Sequence, residues 1–284
     1  MRRIVRTEKA EMIEHRVSRR GALTLAVWLA ATAAASAQTA ATQAPYEPKV
    51  GQAGKDVVWV PTPQALVDKM LDMAKVTPQD YLIDLGSGDG RTVITAAKRG
   101  LRAHGIEYNE EMVALAKRNA AEAKISQMAT FEKADIFESD FSKATVITLF
   151  LLPQLNLKLR PTLLDLKPGT RIVSNSFTMD DWQPDETATV DDGCTSWCTA
   201  LFWIIPAKVE GLWQVGNGEL ALTQQFQRIS GTLGGTAISE GSLKGDEITF
   251  TVGAAKYTGR VAGNSMQGTI GEARGATSWS ATRR

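Results

Sequence analysis

A strand that ends in glycine constrains this chain more than any other feature. Residues 81–91 read Tyr-Leu-Ile-Asp-Leu-Gly-Ser-Gly-Asp-Gly-Arg, so apolar β-forming side chains lead to Asp84 and then Gly86, Gly88 and Gly90 alternate with Ser87 and Asp89. Such a break is how a buried parallel strand delivers its end to a ligand. Glycine lets the backbone turn sharply and lets a ligand approach without meeting a Cβ. The spacing argues against a nicotinamide dinucleotide. That fingerprint needs Gly-x-Gly-x-x-Gly, whereas here the third place counted from Gly86 belongs to Arg91 and the last glycine arrives one residue early.

Two further acids follow in order. Glu107 closes the strand-like run Arg102-Ala-His-Gly-Ile-Glu, and in open α/β sheets an acid about 20 residues past the glycine loop accepts from ribose hydroxyls. A third strand, Ala129-Thr-Phe-Glu-Lys-Ala, leads to Asp135-Ile136. An acid two positions before the first glycine, then Gly-x-Gly-x-Gly, resembles motif I of the class I S-adenosylmethionine (SAM) methyltransferases. The resemblance implies SAM as cofactor, held by Asp84, Gly86, Ser87, Gly88, Gly90, Glu107, Asp135 and Ile136. Asp135 would then accept from the adenine amino group, with Ile136 on the ring.

The resemblance narrows further. Val60-Pro-Thr-Pro, the glycine loop, Phe150-Leu-Leu-Pro-Gln-Leu-Asn and Pro168-Gly-Thr-Arg-Ile-Val-Ser-Asn-Ser-Phe occur in one order. Together they resemble the small protein-lysine N-methyltransferases that modify the ATP synthase c-subunit and the adenine nucleotide translocase, over about residues 57–184. This implies an N-methyltransferase acting on protein lysine. The chain departs from that family where Phe150 replaces the usual tyrosine, which bears on the acceptor site, and in its β-rich tail.

Charge and leader bound the setting. The whole chain has net charge +1, but residues 1–37 hold seven Arg/Lys against three Glu. Without them, 32 Lys/Arg become 25 and 31 Asp/Glu become 28, a net −3 with no basic excess for nucleic acid. Ser18-Arg19-Arg20 precedes a mildly apolar, alanine-rich run, and Ala35-Ser36-Ala37 supplies a small-residue cleavage pattern. The expectation is a twin-arginine-like or secretory signal over 1–37 and a periplasmic protein with no membrane span after cleavage; an uncleaved anchor is the alternative, although the run is short for one. Cys194 and Cys198 are the only cysteines. In an oxidising compartment they can bridge a tight hairpin, and two free thiols are the other reading. No metal site is expected, because His104 is the sole histidine after the leader.

The expected organisation is a flexible linker over 38–56, a Rossmann-like α/β methyltransferase domain over 57–206 with helices on both faces, and a β-rich domain over 207–284. Thr62 reads as the N-cap of the first helix, and the family resemblance implies that this segment, with Thr62 and Trp59 as candidates, helps close the cofactor pocket. Beyond Pro206, short alternating strands separated by glycines predict an antiparallel β-meander of six to eight strands, barrel or sandwich, with Trp213 and Trp279 in its core. A loose motif recurs there at Gly231, Gly241, Gly259 and Gly268. Acceptor-site candidates are Phe150, Pro153 and Asn156 after the fourth strand, with Phe177 and Trp182 behind them; no general base can be named. Two other functions stay open: an exported, non-enzymatic binding protein built on this scaffold, and methylation of a small molecule.

Overall fold

A computed structural model describes residues 46–272 and 275–284. The expected signal and the linker as far as residue 45 lie outside the described residues. Five strands alternate with four helices: α1 (Gln64–Met73), β1 (Tyr81–Leu85), α2 (Arg91–Lys98), β2 (Arg102–Glu107), α3 (Glu110–Glu122), β3 (Ala129–Lys133), β4 (Val146–Leu149), α4 (Pro153–Leu164) and β5 (Arg171–Asn175). A hairpin, β6 (Glu186–Thr189) and β7 (Thr199–Ile204), completes the sheet in the order β3-β2-β1-β4-β5-β7-β6. β1 to β5 run parallel and β7 runs antiparallel to β5.

The strands are buried on both sides, so alternate residues serve opposite layers. Leu82 faces a layer with Leu66 and Leu71 of α1, Val93 and Ala97 of α2, and Val113 and Ala116 of α3. Ile83 and Leu85 face Phe141 and the α4 residues Leu159 and Leu163. The order reverses at β1, between β2 and β4, which is where this architecture opens a crevice at the strands' carboxyl ends. Asn109 caps α3, accepting from the Glu111 and Met112 amides at 2.9 and 3.3 Å. Thr62 does not cap α1. The cap position is Pro63, and the Thr62 hydroxyl instead accepts from the Asn175 amide at 3.3 Å.

Asp80 fixes the opposite end of the sheet. It pairs with Arg171 and accepts from Thr145 Oγ1 and the Thr77 amide, both at 2.7 Å. Burial alone would raise its pKa, but Thr145, the Thr77 amide and Arg171 together hold it below the usual value.

The tail is a closed eight-stranded barrel: β8 (Gly211–Val215), β9 (Gly218–Gln225), β10 (Arg228–Leu233), β11 (Thr236–Lys244), β12 (Glu247–Val252), β13 (Ala255–Ala262), β14 (Ser265–Glu272) and β15 (Gly275–Arg283). β15 closes onto β8 through Thr282 against Gln214 and Arg283 against Trp213. Trp213, Trp279 and Phe250 fill its interior. The recurring glycines mark close approaches between strands. A Cβ on Gly231 would lie 1.9 Å from the Ala221 carbonyl oxygen, and one on Gly268 would lie 1.9 Å from that of Thr258. The barrel meets the sheet at its foot and flank. The Ala207 amide donates to the Gly245 carbonyl at 2.8 Å, Gly245 packs on Gly169, and Phe226 stacks on Trp182 with centroids 5.7 Å apart. Trp182, a candidate for the acceptor site, is therefore a fully buried junction residue. Among the described residues no helix is long and apolar enough to cross a membrane.

Candidate active site

A cavity of about 530 Å³ opens at the carboxyl ends of β1, β2 and β4, within the ~300–1,000 Å³ usual for small-molecule sites. Asp84, Gly86, Ser87, Gly88, Glu107, Asp135 and Ile136 all line it. Gly90 does not. It opens α2 at φ 82°, and a Cβ there would strike Phe131 at 2.6 Å, so its smallness lets α2 pack against the sheet.

Each acid is held differently. Asp84 stands opposite Thr148 on β4, whose hydroxyl donates to it at 2.6 Å. Burial pushes its pKa up to about 7; Thr148 pulls against this, and the charges of Glu107 and Asp89 add to the rise. Glu107 accepts from the Gly88 amide through Oε2 and from the Asn109 amide through Oε1, both at 2.9 Å. One carboxylate therefore ties the glycine loop to the start of α3. Asp135 accepts from the Phe137 amide at 2.9 Å and pairs with Lys55. The Lys55 hydrogen bond lowers its pKa most, followed by that of the Phe137 amide.

Lys55 belongs to a strap that composition alone reads as linker. Residues 51–59 form a small hairpin in which the Gly51 amide donates to the Trp59 carbonyl and the Trp59 amide to that of Gln52, at 2.8 and 2.9 Å. Its residues from Gln52 to Val60 line the cavity. Trp59 lies over Gly88, where a Cβ would come within 2.8 Å of Nε1. Lys55 also sits over the Tyr108 ring at 4.7 Å. Local patterning gives little warning of this strap, because its neighbours Asp135 and Met112 are both distant in the chain.

The mouth beyond the strap is aromatic. Phe150 and Phe177 stack at 5.9 Å, and Trp197 meets Phe150 edge-on at 6.1 Å. All three line the cavity with Leu151, Leu152 and Leu155. Pro153 and Asn156 lie outside the lining. Pro153 is the first residue of α4. Asn156 is fully buried, and its amide donates to the Phe177 and Thr178 carbonyls at 3.1 and 3.2 Å. It fixes the loop carrying Phe177 from behind the lining. Cys194 and Cys198 form a disulfide that brackets Trp197. Sequence reasoning finds these cysteines but not the tryptophan between them.

The residues fit a SAM-sized ligand. Three strand-end acids converge on one cavity, and Gly86, Ser87 and Gly88 of the loop complete its wall. Ser87 Oγ is buried and has no partner among the described residues. Known proteins agree with this geometry. Residues 84–186 match the model of the ANTKMT methyltransferase domain. A protein-lysine N-methyltransferase of Saccharolobus islandicus is 45% identical over 140 residues, covering 48% of this chain and 87% of that one. The mouse lysine N-methyltransferase of the ATP synthase c-subunit is 36% identical over 107 residues, and the match spans 37% of this chain but only 43% of the mouse protein. A crystal structure of an RNA methyltransferase from Salinibacter ruber with S-adenosyl-L-homocysteine (SAH) shares 46% identity at a TM-score of 0.50, covering 53% of this chain and 96% of that one.

Proposed function

Because the chain belongs to the family of SAM-dependent protein-lysine N-methyltransferases, we propose that it methylates lysine side chains of proteins outside the cytoplasm. The observation that carries the lysine assignment is the aromatic and aliphatic mouth, joined directly to the acid-lined cavity. SAM, when bound, would supply a methyl group on a cationic sulfur for displacement by a neutral amine, leaving SAH.

The chain's residues do the rest. Glu107 and Asp135 offer acceptor oxygens at the ends of β2 and β3, while Trp59 and Lys55 close the cavity from above. Phe150, Phe177 and Leu155 take the lysine stem out of water, which lowers the pKa of its ammonium and favours the neutral nucleophile. Alignment and water exclusion are the main contributions a protein makes to such a displacement. The export assignment rests on the paired arginines and the Ala35-Ser36-Ala37 pattern.

The Salinibacter ruber protein bears an RNA methyltransferase name, so RNA is the reading to test against. Beyond residue 37 the chain carries 25 Lys/Arg against 28 Asp/Glu, which gives no electrostatic footing for polyanions. Methyl-labelled SAM incubated with separate protein and RNA fractions of the source cells decides the matter. Label in protein, recovered as methyl-lysine after hydrolysis, supports the proposal; label in RNA alone overturns it. Fractionation of cells bearing a tagged full-length chain tests the location.

A further inference from the structure

We propose that the Cys194–Cys198 disulfide sets the acceptor site by holding Trp197 as its third aromatic wall, so that acceptor binding depends on the oxidation state of this bond. The inference rests on the transferase reading of the same cavity.

The hairpin joining β6 to β7 carries its tip to the mouth. Within it the Val190 amide donates to the Cys198 carbonyl at 2.9 Å, and Gly193 faces Ala65 at the start of α1. Trp197 occupies the left-handed region at φ 53°, a costly place for a tryptophan. Its side chain is not anchored in the core. It remains 45% exposed, and its aromatic partner is Phe150 at 6.1 Å, which in turn stacks on Phe177. The covalent bracket one residue after Trp197 and three before it is what confines this conformation. The two phenylalanines need no such help. Phe177 is pinned through its carbonyl by Ser174 Oγ at 2.8 Å and by Asn156, and Phe150 directly follows β4.

Aromatic rings beside the methylated ammonium that the reaction leaves attract it through their quadrupoles, and the attraction grows as water is excluded. With the disulfide intact the site has three walls. A dithiol reductant breaks the S–S bond, delivering two electrons and two protons to give two thiols, and is itself oxidised to a disulfide. The tip then loses its constraint and Trp197 leaves the wall. Cofactor residues lie on other elements, so SAH binding is unaffected.

The test uses the full chain and two probes, SAH and N-acetyl-trimethyl-lysine amide, titrated calorimetrically with the second probe added to the SAH complex. The expected result is that Trp197→Ala, the Cys194→Ser/Cys198→Ser pair and dithiol-treated wild type each weaken the lysine probe by about tenfold. SAH affinity should stay within about twofold in all of them. Trp197→Phe should recover most of the loss. A lysine-probe affinity indifferent to reduction and to the serine pair overturns the redox inference and leaves the transferase reading intact. Failure of the folded wild type to bind SAH overturns both.

Discussion

Asp84→Asn isolates the energetic tension of the cavity. The substitution is isosteric, and the Asn oxygen can still accept the Thr148 hydroxyl that donates at 2.6 Å. What it removes is a carboxyl whose pKa is raised from 3.8 to about 7, chiefly by burial and then by the charges of Glu107 and Asp89. The folded protein therefore holds a proton on Asp84 between about pH 4 and pH 7 that the unfolded chain has released. Wild-type stability must fall as pH rises through that window and level off above it. Roughly three pKa units at 1.36 kcal/mol each give about 4 kcal/mol of destabilisation at pH 8. The variant lacks this slope. Urea melts of both proteins without cofactor, from pH 4 to pH 8.5, should show the variant gaining on wild type by about 4 kcal/mol, most of it below pH 7.5. SAM affinity should move the opposite way, because a cationic ligand is the partner the ionised carboxylate lacks. A stability difference that stays flat with pH, or that favours wild type more as pH rises, would refute the reasoning.

Other perturbations probe separate parts of the design. Glu107→Ala leaves the Gly88 and Asn109 amides without their acceptor and removes the proposed ribose contact, so SAM affinity should drop by about 2 kcal/mol or more in calorimetry. Unchanged affinity would remove Glu107 from the site. Gly88→Ala places a Cβ against Trp59 at a φ of 53°, so it should abolish detectable SAM binding while thermal unfolding stays cooperative; full binding would show that the strap does not close on this loop. Asp80→Asn breaks a mostly buried pair with Arg171 and should cost about 3 kcal/mol in urea at pH 7. Since the folded pKa of Asp80 is lowered, its contribution is present above the unfolded value of 3.8 and is lost as pH falls through the folded one. The gap between variant and wild type should therefore narrow in acid, and a gap that widens there contradicts the assignment.

The parts legible in the sequence are those where one local pattern implies one geometry. Asp84, Glu107 and Asp135 lie at or just past the carboxyl ends of three parallel strands, so their order along the chain is enough to bring them to one rim. Asn109 announces its helix because a cap needs only its own next residues. The barrel is legible as strands and turns but not as a closed form, since closure depends on β15 finding β8 across the whole domain. The same limit hides the strap and Trp197. Lys55 reaches Asp135 across 80 positions, and Phe150 meets a tryptophan 47 residues later, contacts that no periodicity encodes. Asn156 and Pro153 mislead for a different reason. The segment after β4 turns into α4 at once, so only residues before Pro153, and Leu155, reach the mouth.

One reversed strand gives the molecule its polarity. β7 runs against its neighbours, so the chain leaves the sheet near Arg171 and Gly169, at the pole opposite the glycine loop. Had β7 been parallel, the barrel would have emerged on the rim of the cavity and roofed it. As built, the molecule has a working face and a separate handle. Changes to the barrel's exposed strands therefore fall away from the glycine loop and the cavity it lines.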